Sequence, residues 1–240
     1  MKSSLNLILS LMSGLAVLTI DGCKNNVIYT DALMQDSCCF SSTGRNQYFI
    51  LEPGFQLILE GQERGVVSQL YVTVLNETRA IEKVETRIVE EKEFANGILK
   101  ENSRNYFAFC QQNSGIYYFG EDVDNYKNGI ITNHEGSWNA LGQNKAGLVM
   151  PGLVLLGARY YQEIAPGVAM DRAEIVSISE TQQTSAGNFK NCLMTLETTA
   201  LNPNEKEYKI YAPGIGLIKD ENMILVKYGF IDLDKESGTR

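Results

Sequence analysis

One histidine, one tryptophan, five prolines and five cysteines are spread over 240 residues. Each scarcity removes a class of function. With a single His and no C-x-x-C spacing there is no zinc ligand set, and no metal is expected. The chain has neither G-x-G-x-x-G nor G-x-x-x-x-G-K-[ST], so it lacks a phosphate-cradling loop and no cofactor is expected. No serine sits in a G-x-S-x-G elbow. Lys and Arg total 21 against 29 Asp and Glu, a net charge of −8 with a pI near 4.8. Without a basic stripe, nucleic acid is excluded as a partner. Beyond the first two dozen residues, no run is long and apolar enough to cross a bilayer as a helix.

What is present begins with the N-terminus. Met1-Lys2 is followed by an apolar stretch from Leu5 to Ile20, broken by Asn6, Ser10, Ser13 and Gly14, and then by Ile20-Asp21-Gly22-Cys23. This resembles a bacterial lipoprotein signal peptide over residues 1–22, with an aliphatic residue at −3, a small residue at −1 and the acceptor cysteine at +1. Asp21 departs from the pattern, in which −2 is small and uncharged. The resemblance implies acylation at Cys23 and a membrane as partner through the lipid anchor. It places the protein in the cell envelope, on the extracytoplasmic side of a bacterial membrane; secretion after ordinary cleavage is the alternative. Each buried acyl methylene is worth about 0.8 kcal/mol, so several chains would hold the protein firmly.

With Cys23 acylated, Cys38, Cys39, Cys110 and Cys192 remain, an even number suited to an oxidising compartment. Four cysteines allow three connectivities. Cys38 and Cys39 are neighbours in a polar region, whereas Cys110 and Cys192 each lie in a strand-like run. A Cys110–Cys192 bridge across a sheet is one expectation, and two buried free thiols are the other.

Composition divides the remainder into a polar tether over 23–48, a single all-β domain over 49–231 and a polar tail over 232–240. Phe55, Leu57 and Leu59 alternate with more polar neighbours, and Leu70, Val72 and Val74 repeat the pattern. Arg79 to Phe94 is a conflict. Ile81, Val84 and Ile88 fit a helix, Val84, Thr86 and Ile88 fit a strand, and the following Asn96-Gly97 hairpin signal decides for strand. Tyr106 to Cys110 is apolar on both faces. Ile116 to Trp138 reads as strand, turn, strand, with Glu121, Asp122 and Asp124 in an acidic turn. Pro53, Pro151, Pro166 and Pro213 each precede glycine, the pairing that suits type II turns. The total is an antiparallel meander of about ten to twelve strands. A sheet that size is expected to form a strongly curved sheet or an open or closed barrel.

In order along the chain come Tyr118-Phe119-Gly120-Glu121-Asp122, Gly136-Ser137-Trp138, Val149-Met150-Pro151, Gly157 with Tyr161-Gln162-Glu163, Pro166-Gly167-Val168-Ala169 and Tyr211-Ala212-Pro213-Gly214-Ile215-Gly216-Leu217. As an ordered set these resemble a family of uncharacterised secreted or lipid-anchored bacterial proteins rich in β-structure. The resemblance implies export and an all-β fold, and brings no catalytic residue with it. More remotely, the layout is similar to that of curved-sheet lipoprotein carriers of bacterial envelopes.

Two sets of side chains are candidates for a site. Tyr106, Phe107, Phe109, Tyr117, Tyr118, Phe119, Trp138, Tyr160 and Tyr161 either line a pocket for an apolar ligand or form ordinary core. Glu121, Asp122, Asp124 and His134 are the polar candidates. The Ca²⁺-loop spacing is broken at Tyr126 and Asn128, and strand neighbours such as His134 and Glu135 face opposite ways. The expected function is a binding or carrier module for an apolar small molecule or an envelope protein. The alternatives are a structural or surface interaction protein and a hydrolase using the acidic hairpin and His134.

Overall fold

A computed structural model describes residues 27–202 and 204–236. Cys23, the signal-like segment before it and the last four residues of the tail lie outside the described residues. The chain is all-β, as the alternation requires. In order, the strands are β1 (Phe40–Ser41), β2 (Gly44–Asn46), β3 (Phe49–Leu51), β4 (Phe55–Glu63), β5 (Val66–Ile81) and β6 (Val84–Ala95). There follow β7 (Ile98–Cys110), β8 (Ile116–Lys127), β9 (Ile130–Asn133), β10 (Trp138–Asn139), β11 (Lys145–Met150) and β12 (Arg159–Tyr161). The last six are β13 (Glu163–Ile164), β14 (Asp171–Thr184), β15 (Gly187–Thr199), β16 (Glu207–Ala212), β17 (Gly216–Asp220) and β18 (Met223–Phe230).

Thirteen strands form one antiparallel path, β12-β14-β15-β16-β17-β18-β4-β5-β6-β7-β8-β11-β13, while β2 and β3 pair separately. The two edges of that path, β12 and β13, are separated in sequence by Gln162 alone. The sheet therefore curls until its edges meet at one residue, a nearly closed barrel with little exposed edge. The Gln162 N–H donates to the Asp171 carbonyl of β14 at 2.8 Å and helps to join the seam.

Turn chemistry sets the register. Asn96 (φ 51°) and Gly97 (φ 74°) both occupy left-handed backbone, as a tight hairpin between Ala95 and its partner Ile98 demands. The segment from Arg79 to Phe94, expected as one strand, is bent back at Glu82-Lys83, where Ile81 pairs with Val84. Pro151-Gly152 is not a type II turn: Gly152 is absent from the left-handed region, and a Cβ there would lie 1.6 Å from the Asn113 carbonyl oxygen. Close backbone approach, not φ, calls for that glycine.

Structure begins earlier than the polar composition of 23–48 suggests. Thr30 bridges to Tyr160, and residues 33–41 cross the outside of β7 and β8. The Tyr117 hydroxyl donates to the Leu33 carbonyl at 2.6 Å, and Phe40 stands edge-on to Tyr117 and Phe119 at 5.3 and 5.2 Å. The expected Cys110–Cys192 bridge is corrected here. Cys110 is bonded to Cys38, and Cys192 is a buried free thiol. Cys110 lies on the outer face of β7, where the strap passes, whereas Cys192 is in β15.

The β2–β3 hairpin plugs one end of the barrel. Gly214 in the β16–β17 turn donates to the Gln47 carbonyl at 2.7 Å, and Ile50 and Leu51 of the hairpin's second strand are buried. The opposite end carries the turns at Arg64-Gly65, Asn96-Gly97 and Glu221-Asn222, and it stays open.

Candidate functional site

Period-two alternation sends every second side chain inward. On β5 these are Leu70, Val72 and Val74; on β7 they are Glu101, Ser103, Asn105 and Phe107. Inside the barrel they bound a cavity of about 250 Å³. Its plugged end is apolar, with Phe49 and Ile50 from β3, Phe55 and Leu57 from β4, Phe107 from β7 and Ile215. Its open end is acidic and leads through Lys209 and Asp220 into a wider recess of about 630 Å³ among the hairpin turns.

The wall towards the open end carries seven carboxylates, Glu91, Glu101, Glu121, Glu163, Asp171, Glu197 and Asp220, against one ammonium, Lys209. The carboxylates come from seven different strands and the ammonium from an eighth, so the barrel collects what the sequence scatters. Two inward carboxylates, Glu121 and Glu163, flank the short β11 on either side. A bulge places Glu121: between β7 and β8, Asn105 pairs with Glu121 and Phe107 with Tyr118, so β8 carries one extra residue. Both Tyr118 and Glu121 thereby face inward. The bulge needs Gly120, whose Cβ would lie 2.3 Å from the Trp138 carbonyl oxygen.

Like charges enclosed by protein hold their protons more tightly. Burial pushes the Glu91 carboxyl up to about 7, with Lys209 pulling the other way. Burial pushes Glu121 up to about 8, opposed by a hydrogen bond from Tyr118 and reinforced by Glu91 and Glu101. Glu163 is raised well above the usual carboxylate range by burial and by Glu121. These side chains are half-buried along the cavity wall and ringed by protein.

Glu197 is the hub of this wall. Its Oε1 accepts from Gln162 Nε2 at 3.2 Å, Thr195 Oγ1 at 3.1 Å and the Tyr211 hydroxyl at 3.3 Å. Its Oε2 lies 3.2 Å from Lys209 Nζ, and Asp220 Oδ2 lies 3.7 Å from the same ammonium. Burial works against that ammonium, but the two carboxylates outweigh it and hold the Lys209 pKa well above its ordinary value. Gln162 is 8% exposed, and its Oε1 has no partner. The amide orientation follows from its partner, because Glu197 Oε1 already accepts from Thr195 and Tyr211 and its other oxygen pairs with Lys209, so a donor, the nitrogen, faces it.

The residues singled out from sequence divide by strand parity. Of the nine aromatics, Phe107 and Tyr118 line the cavity. Tyr106, Tyr117 and Phe119 point outward; the strap buries Tyr117 and Phe119, and the Arg79 guanidinium lies over the Tyr106 ring at 4.6 Å. Phe109 packs under the β2–β3 hairpin, Trp138 stands edge-on to Tyr118 at 5.3 Å, and Tyr160 is buried beside Tyr161, which meets Tyr29 at 6.3 Å.

The four polar candidates do not share one site, although His134 meets Asp124, and the expected acidic turn is part of β8; the turn itself is Asn128-Gly129. Glu121 faces the cavity, while Asp122 points out and pairs with Arg79 at 2.6 Å. His134 Nδ1 is 2.8 Å from Asp124 Oδ1 and 3.0 Å from the Val123 carbonyl oxygen. That pair sits on an exposed hairpin and takes no part in the cavity wall. Among the described residues no three His, Cys, Asp or Glu side chains are grouped to hold a metal ion.

Sequence reasoning passed over six of the seven wall carboxylates, Gln162 and Lys209. Their signal is an ionisable residue at the inward position of a strand, as in Val89-Glu90-Glu91 or Thr195-Leu196-Glu197. Comparison with protein-family models, with curated proteins and with solved structures finds no match to this chain.

Proposed function

We propose that the protein is a binding or carrier module that holds a small molecule inside its barrel, from a lipid-anchored position on the outer side of a bacterial membrane. The observation that carries the binding part is the cavity itself, plugged with apolar side chains at one end and open at the other. A core built only for stability would be filled to crystal-like density. It would also not line its interior with seven carboxylates, since each buried charge costs free energy without a partner.

The anchored position is supported by Ile20, Gly22 and Cys23 in the sequence, and by an apolar edge beside the point where the described chain begins. Leu153, Leu155 and Leu156 are 74, 57 and 65% exposed in the loop leading to β12. Ala158 at the end of that loop donates to the Leu155 carbonyl at 3.0 Å, and Thr30 donates to Arg159 at 3.1 Å. Ile28, two residues before Thr30, is 79% exposed. Such a patch is suited to rest against lipid.

One experiment addresses both parts. A native mass spectrum of the full chain, extracted gently from its membrane, is expected to show acylation at Cys23 and one further adduct that leaves on collisional activation. A bare polypeptide ending in an unmodified cysteine, with no adduct, would defeat both.

A further inference from the structure

The cavity's two ends differ in chemistry, and the seam residue adds a constraint that the charges alone do not. Gln162 sits beside the cavity where the sheet's edges meet, more than nine-tenths buried, with its Nε2 committed to Glu197 and its Oε1 enclosed by protein and unpartnered. A buried acceptor without a donor costs about 1–3 kcal/mol, a cost that a ligand donor would remove. An acceptor in that position selects a group that brings hydrogens.

The charge field points the same way. Seven carboxyl groups and one lysine, the latter already held by Glu197 and Asp220, leave the wall short of positive charge. Glu91, Glu121 and Glu163 therefore hold their protons tightly until a cation takes the protons' place. Low-dielectric walls of one sign concentrate the opposite charge. A metal ion does not meet the need, because the carboxylates are spread along the wall and no three of them converge on a point. The floor of Phe49, Ile50, Phe55, Leu57 and Phe107 has no use for a purely polar cation, but it matches an apolar chain or ring.

Building on the binding function proposed above, we propose that the ligand is an amphiphilic organic cation. Its apolar body is seated on the plugged end, and its protonated primary or secondary amine lies at the seam. There the Gln162 amide turns its enclosed Oε1 toward the cavity to accept from the amine, which is flanked by the carboxyl groups of β6, β8 and β13. A quaternary ammonium satisfies the charge but leaves Oε1 unpaired, and a fatty acid meets the wall with the wrong sign.

The test holds the apolar body constant and changes only the head. Octylammonium, octanol and octanoate are titrated calorimetrically into the full chain at pH 7 and low salt. Octylammonium is expected to bind at one site at least ten-fold more tightly than octanol, with octanoate weakest. Gln162→Met, which keeps the volume and removes the acceptor, should weaken octylammonium about five-fold and leave octanol unchanged. Glu163→Gln serves as a second variant should the first fail to melt cooperatively. Equal binding of all three probes, tighter octanoate, or unchanged octylammonium affinity in every variant that melts cooperatively overturns the cationic head and leaves the binding chamber standing. Failure of all three to bind removes the chamber as well.

Discussion

Glu121 shows what a polar lumen does to a single side chain. In the folded chain its carboxyl is pushed to about 8, against an ordinary value of 4.5. A carboxyl whose folded pKa is raised contributes stability that is complete below about pH 4.5 and is lost as the pH climbs through about 8. Glu91, pushed to about 7, acts in the same direction over a narrower window. Glu121→Gln cannot ionise. Its melting temperature at pH 8.5 is expected to exceed that of the parent by about 3–6 °C, with the difference closing at pH 5. Equal gaps at the two pH values would show that Glu121 is not held in a raised state. In sequence this residue reads as part of a solvated acidic turn, because acidity and turn are usually associated. Only the extra residue at the Gly120 bulge, which depends on pairing with β7, turns it inward. The same holds for Glu101 and Glu197, whose inward parity is visible but whose facing wall is formed by strands far away in the chain, as Asp220 of β17 is from Glu101 and Glu91 of β6 from Glu197.

Elements differ in how openly they are written. The strands β4 to β7 follow from alternation, and Asn96-Gly97 marks its hairpin by chemistry that few other residues supply. The β5–β6 turn has no such mark: Glu82 adopts φ 50° without glycine, so the end of β5, from Arg79 to Ile81, reads as the start of the next strand. The strap over 33–41 is hidden for a different reason. Its composition is polar, and its ordering comes from partners in β6, β7 and β8, among them the disulfide to Cys110 and, just past the strap, the bond from Arg87 Nε of β6 to the Ser42 carbonyl at 2.8 Å. The Cys38–Cys110 bridge spans 72 residues, which corresponds to about 4 kcal/mol of loop-closure stabilisation. A Cys38→Ser, Cys110→Ser double substitution is expected to lose about 2–4 kcal/mol in chemical denaturation, whereas Cys192→Ser should lose less than half as much. Comparable losses from both would contradict the pairing.

At the scale of the molecule, thirteen strands wrap until β12 and β13 meet at Gln162, with one end plugged by β2–β3 and the other left open. Fold class was legible because period-two patterning and turn chemistry are local. The chamber was not, because which faces meet depends on closure, and closure places Glu91, Glu163 and Lys209 together from distant parts of the chain. The central claim is that this interior admits a ligand. It is tested most directly by titrating an apolar fluorescent probe, N-phenylnaphthylamine, into the parent chain and into Val72→Trp, whose indole would occupy the middle of the cavity. The account predicts saturable one-to-one binding to the parent and at least a ten-fold loss in a variant that still melts cooperatively. Equal binding by both proteins, or no saturable binding by the parent, would contradict it.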